Sequence, residues 1–147
     1  MAKQNVKDKR ESGGYVPMTH QVLRSAAYAK LSPHAVKLLN DLLAQYNGKN
    51  NGDLCCAWSM MEKRHWKSKD TLYKAIKELK SADWLEVSRQ GGRHKPTLYA
   101  LTFFAVDECN GKLDIPSTKQ PKSTWKIKSG SPSAVPIKPE LVRDAYQ

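Results

Sequence analysis

The sequence predicts a small α+β domain, and three observations carry that expectation. Apolar residues recur at helical spacing in several stretches between residues 19 and 84. Two short runs of alternating pattern follow, at 85–90 and 97–104. Between them stand Gly91 and Gly92, which suit a reversal of the chain into a hairpin.

The elements follow in order. THQVLRSAAYAKL over 19–31 reads as a first helix, with Val22, Leu23, Ala26 and Ala27 at helical spacing. SPHAVKLLNDLLAQYNG over 32–48 reads as a second, with Ser32 as N-cap, Pro33 at the first helical position and Asn47–Gly48 as the stop. Its apolar stripe is Val36, Leu39, Leu42 or Leu43, and Tyr46. The loop NGKNNG leads into DLCCAW over 53–58, short enough for one strand. Ser59 followed by Glu62 has the spacing of a capping box for a short helix over 60–66. Ser68 then caps a helix over 69–84 in which Leu72, Ile76 and Leu79 line one face. The two alternating runs complete the fold.

The ends differ in composition from this core. Residues 1–14 are polar and charged and close on Gly13–Gly14, as a flexible arm would. Residues 112–147 are rich in Lys, Ser, Thr and Pro, a composition expected to stay extended or disordered because it buries too little apolar surface. The domain is therefore placed at 15–111, with Trp125 and Ile127 as docking points in the tail. Trp84 is expected in the core, Trp58 as a staple beside the Ser59 cap, and Trp66 as a partly exposed core residue between two helices. Trp125 reads as an anchor, on its own domain or on a partner.

Two short helices across a tight turn, followed by a β-hairpin, is the layout of a winged helix-turn-helix, whose second helix enters the major groove. Here that helix begins at Ser68. If Leu72, Ile76 and Leu79 face the core, Lys69, Asp70, Tyr73, Lys74, Lys77 and Lys80 are left outside. Ser68, Lys69, Thr71 and Tyr73 stand at the leading end, where short hydrogen-bonding groups or an aromatic can reach base edges. Thr71 serves equally well as a local cap. Lys74 and Lys77 suit phosphates. At the hairpin, Arg89, Arg93, His94 and Lys95 surround the glycines and read as contacts to the backbone or minor groove.

Charge supports a polyanionic partner. The chain carries a net charge of +11 and a pI near 9.6, which points to nucleic acid or an anionic surface. Residues 60–95 hold ten Lys and Arg against five Asp and Glu, a net of +5, whereas 96–111 hold only Asp107 and Glu108. The tail 112–147 adds seven basic against three acidic residues. The positive charge thus concentrates on the paired helices and the hairpin.

Other chemistries find little purchase. No apolar run is long enough to span a membrane, and MAKQNVKDKRESGG has no apolar segment of a secretory signal, so a cytoplasmic or nucleoid-associated protein is expected. Cys55, Cys56 and Cys109 form a poor disulfide framework and read as small buried thiols. His20, His34, His65 and His94 share no metal-ligand spacing, and Asp41, Asp53 and Glu62 read as solvated carboxylates. No phosphate-binding loop, nucleophile elbow or zinc-protease motif occurs, so no catalytic residue, metal or cofactor is expected.

The stretches KLSPHAVKLLNDLLAQYNGKNNG over 30–52, WKSKDTLYKAIKEL over 66–79, SRQGGRHKPTLYALT over 88–102 and AVDECNGKLDIP over 105–116 resemble a group of small winged-helix proteins carried by phages, prophages and plasmids. The resemblance covers most of residues 15–116 and implies a winged-helix fold and DNA binding. It is similar in layout to phage repressors and to the DNA-binding domains of plasmid replication initiators. The implied function is sequence-specific binding of double-stranded DNA, as a transcriptional regulator or replication-associated factor of a mobile element, with a homodimer as one candidate assembly. The rival reading is an interaction module that binds and inhibits a host protein complex through its basic face. RNA binding is a weaker third, because Tyr99 and Phe103 read as core rather than as stacking aromatics.

Overall fold

The structure, a computed structural model, describes residues 9–129. Residues 1–8 of the expected arm and residues 130–147 of the expected tail, like the side chain of Ile127, lie outside the described residues. The fold is α+β, with helices packed on a three-stranded antiparallel sheet.

The first predicted helix is broken in two. α1 spans His20–Leu23 and α2 spans Ala26–Ala29. Ser25 is extended, with φ −69° and ψ 148°. Its hydroxyl donates to Val22 O at 2.7 Å and accepts from Tyr28 N at 3.1 Å. A serine that serves both flanking turns competes with the helical ladder, so the run 19–31 cannot stay continuous.

α3, Pro33–Gln45, begins as its sequence dictates. Ser32 Oγ accepts from Ala35 N at 3.2 Å, and Pro33 fills the first position. The Ser32 N–H also donates to the Glu78 carboxylate at 2.8 Å, which ties the start of α3 to a later helix. α3 ends before the expected Gly48 because Tyr46 is extended at ψ 127°. Asn50 Nδ2 takes up the Gln45 carbonyl at 2.8 Å. The Gln45 amide pairs with both N and O of Cys55 in β1, Leu54–Cys55, which docks that strand on the helix end.

α4 spans Trp58–Met61 and tightens into a 3-10 turn at Glu62–Arg64. Ala57 occupies its N-cap without a side-chain bond, so the expected Ser59–Glu62 capping box does not form. Ser59 already lies inside the first turn. α5, Lys69–Ser81, starts at the predicted cap: Ser68 Oγ accepts from Thr71 N at 3.3 Å. Leu72, Ala75, Ile76 and Leu79 form its buried face, and α3 and α5 pack together as the helical layer.

β2, Leu85–Arg89, and β3, Leu98–Leu101, form the hairpin, and the strand order is β1-β3-β2. Leu85 pairs with Leu101, Val87 with Tyr99, and Arg89 with Leu98, so Ser88 bulges out of register. β3 is central and all four of its residues are buried. The second alternating run therefore ends as a strand at Leu101 rather than at 104.

Asn51 is fully buried and closes the turn after the sheet. Its Nδ2 donates to the carbonyls of Leu101, Phe104 and Ala105 at 2.9–3.1 Å, and its Oδ1 accepts from Leu101 N at 2.8 Å. A buried amide satisfied on both ends fixes a loop as firmly as a short stretch of ladder.

The domain does not end at residue 111. Asp114 N donates to Ser88 O at 2.8 Å, Thr118 N to Val106 O at 2.9 Å and Ser123 N to Thr102 O at 2.8 Å. α6, Thr124–Ser129, then buries Trp125 against Trp84. Composition misleads here because one large aromatic and a few backbone bonds suffice to hold a polar strap on a preformed surface. Trp84 and Trp66 are both buried, as expected of core residues, and Trp66 is more enclosed than its place in a turn suggests. Among the described residues no helix is long and apolar enough to cross a membrane.

Candidate nucleic-acid interface

Ser68 sets the direction of α5, and the buried Leu72–Ala75–Ile76–Leu79 face sets its rotation. Together they leave Lys69, Tyr73, Lys74, Lys77 and Lys80 exposed, as the spacing predicts. Tyr73 is 69% exposed. Lys74 pairs with Asp70 at 3.0 Å, one turn earlier, with both side chains in solvent. Such a pair is weak and opens readily to a phosphate. Lys69 Nζ stands 6.0 Å from the Trp58 ring centroid. Ser68 and Thr71 are half-buried and joined by the cap bond, so Thr71 takes the local role that its sequence position allows.

The turn before α5 is held from below by one carboxylate. His65 adopts a left-handed conformation, φ 65° and ψ 27°, and swings the indole of Trp66 inward. Trp66 Nε1 donates to Asp41 Oδ2 at 2.8 Å. Arg64 Nη2 and Nε reach Asp41 Oδ1 at 2.9 and 3.1 Å, and Lys37 Nζ reaches Oδ2 at 3.3 Å. Asp41 is thus a buried hub on α3 and not a solvated carboxylate. Burial alone pushes its pKa up, but the hydrogen bonds from Trp66, Arg64 and Lys37, with the Lys37 charge, outweigh burial and hold it below the ordinary value. Lys63 and Lys67 project from the same turn and are exposed. Sequence reasoning left them out of the candidate set, although their position beside the Ser68 cap marks them.

The hairpin turns later than its glycines suggest. Gly92 N donates to Lys95 O at 3.0 Å and Lys95 N to Gly92 O at 3.3 Å, so Arg93 and His94 occupy the tip. Gly91 serves close approach instead. A Cβ there would meet Lys95 O at 2.6 Å, the Pro96 carbonyl carbon at 2.7 Å and the Thr97 amide. Gly92 has open space around it. Arg93, His94 and Lys95 are exposed at the tip, while Arg89 is half-buried and its Nη2 turns across the hairpin to Pro96 O at 3.5 Å. Asp114 Oδ2 accepts from Gln90 N at 3.0 Å, so the strap after the sheet braces the hairpin base.

α5 and the hairpin enclose a groove of about 300 Å³, lined from α5 by Lys69, Leu72, Tyr73 and Ile76 and from the hairpin by Pro96, Thr97 and Tyr99, with Cys56, Ala57 and Trp58 completing it. Among the described residues no carboxylate lines it. The Tyr99 phenol is pushed up to about 12 by burial, helped by Cys56 and by Tyr73 across the groove. The structure therefore brings Lys69 and Tyr73 together with the rising limb of the hairpin, and it sets Arg89 apart from the other hairpin cations.

The remaining sequence candidates fall elsewhere. Cys55, Cys56 and Cys109 are free thiols, each partly buried, and burial pushes Cys56 up to about 12. Asp53 pairs with Lys112 at 2.7 Å. No group of three or more His, Cys, Asp or Glu among the described residues is arranged to hold a metal ion. Compared with family models, curated proteins and solved structures, the chain matches none.

Proposed function

We propose that the chain is a winged helix-turn-helix protein that binds double-stranded DNA with sequence preference. The order α3, β1, α4, α5 and the β2–β3 hairpin supports this reading, in which α5 is the reading helix and the hairpin the wing. The observation that carries the reading is the shared face of α5 and the hairpin. Lys69 and Tyr73 border the groove from one side and Pro96 and Thr97 from the other, beside the cationic tip. Among the described residues no ion pair engages Lys77, Arg93 or Lys95. Exposed cations without partners displace the counterions condensed on DNA phosphates, and that release drives the sequence-independent part of duplex binding.

In this reading α5 enters the major groove from its Ser68 end, Lys69 and Tyr73 meet base edges, and Lys74 and Lys77 meet phosphates. Arg93, His94 and Lys95 reach the backbone or minor groove alongside, and Arg89 stiffens the hairpin that presents them. The resemblance to winged-helix proteins of phages and plasmids gives the setting: transcriptional regulation or a replication-associated step of a mobile element.

The test is a shift assay of the full chain on random duplex at graded salt. Retention at low salt with an affinity that falls steeply as salt rises supports the reading. Indifference to duplex at about 100 mM salt, where phosphate contacts still register, removes it.

A further inference from the structure

We infer that Tyr73 reads a thymine by packing its ring on the C5-methyl group in the major groove, an inference that rests on the duplex-binding reading above. Tyr73 stands on the second turn of α5, 69% exposed. The neighbours on its face are Lys69, Lys74 and Lys77. Three cations explain attraction to phosphates but do not explain an unburied aromatic among them. A single exposed ring is ordinary on a protein surface, but on this cationic face it offers apolar contact to a base edge.

The geometry narrows what that partner offers. Tyr73 lines the groove together with Trp58, Pro96 and Tyr99, and most of its side chain stays open to solvent. Among base edges in the major groove, thymine alone presents an apolar group, its C5-methyl. Adenine, guanine and cytosine present donors and acceptors that a ring face does not satisfy. The lysines at 69, 74 and 77 are flexible point charges and do not sense a methyl group. Tyr73 is the group on this face whose chemistry distinguishes thymine from the other bases.

The experiment uses the full chain and the duplex sites it selects from a random pool. Each thymine in a selected site is replaced, one at a time, by deoxyuridine, which lacks only the methyl group. One position is expected to weaken binding by roughly fourfold, the free energy of burying one methyl group. Tyr73→Phe should keep that penalty, because the ring remains. Tyr73→Ala should abolish it and relax base preference at that position. Tyr73 is exposed, so both variants fold, which a melting curve checks. Neutral replacement at every thymine, or a penalty that persists in Tyr73→Ala, overturns the inference and leaves duplex binding intact. A chain that retains no duplex overturns both.

Discussion

The indole of Trp125 lies flat on that of Trp84, with centroids 4.7 Å apart and planes 9° from parallel. The two lie 41 positions apart in sequence, and both are nearly inaccessible to solvent. Tyr28 and Phe103 meet Trp84 edge-on at 6.2 and 5.8 Å, so the stack sits within a larger aromatic cluster. Trp125→Ala should lower the unfolding free energy by about 3–5 kcal/mol, the range for emptying a buried aromatic site. Urea denaturation followed by tryptophan fluorescence measures it. A fragment ending at residue 111 should fare no better, because it loses the same indole and the bonds that Ser123 and Thr118 make to the body. A loss under about 1 kcal/mol in both, the range of ordinary surface changes, would show the strap to be dispensable.

Gly91 and Gly92 are adjacent and should answer differently to the same change. Gly91→Ala drives a methyl group into the backbone of Lys95 and Pro96, and should cost about 1–3 kcal/mol, as overpacking does. Gly92→Ala meets open space and should stay within about 0.5 kcal/mol of the parent. Thermal melts of the two variants separate these outcomes. Equal effects would contradict the placement of the turn at Arg93–His94.

α3 and α5 are legible in the sequence because Ser32–Pro33 and Ser68 cap apolar stripes of the right period, and those signals are local. The break at Ser25 is not, since a hydroxyl that bonds both ways looks like any serine inside an apolar run. The hairpin is legible, but its tip is not. The bulge at Ser88 sets which residues face each other, and cross-strand register leaves no mark in composition. For the same reason Arg89 and Arg93 look equivalent in sequence, although one folds back on Pro96 and the other faces solvent. Asp41 is hidden because its partners Arg64 and Trp66 lie 23 and 25 residues away. The strap is misread because average composition outweighs one tryptophan.

Asp41 carries a pH dependence of defined sign. Its folded pKa is held below the ordinary aspartate value of 3.8, so the carboxylate contributes stability that is fully present above that value. The contribution fades as pH falls below 3.8 through the lowered folded pKa. Asp41→Asn should flatten this acid limb and, at neutral pH, cost about 1–3 kcal/mol through weakened bonds to Trp66 and Arg64. Denaturant midpoints between about pH 2 and pH 7 for parent and variant give the comparison. Parallel pH profiles would assign the acid limb to other carboxylates.

Arg93 and Lys95 stand at the tip without carboxylate partners among the described residues, so in the proposed duplex complex their removal would isolate the phosphate contribution. Removing one cation–phosphate pair should reduce the slope of log affinity against log salt by about 0.9 on duplex DNA, so the double alanine variant should flatten it by about 2. Affinity should fall by a similar factor on every sequence, because phosphates carry no base identity. Lys69→Ala on the α5 face should behave otherwise and change which sequences are preferred. Lys69, Arg93 and Lys95 are all exposed, so melting temperature should hold in both variants. An unchanged salt slope in the double variant, with the fold intact, would take the tip out of the interface and leave α5 alone to bind.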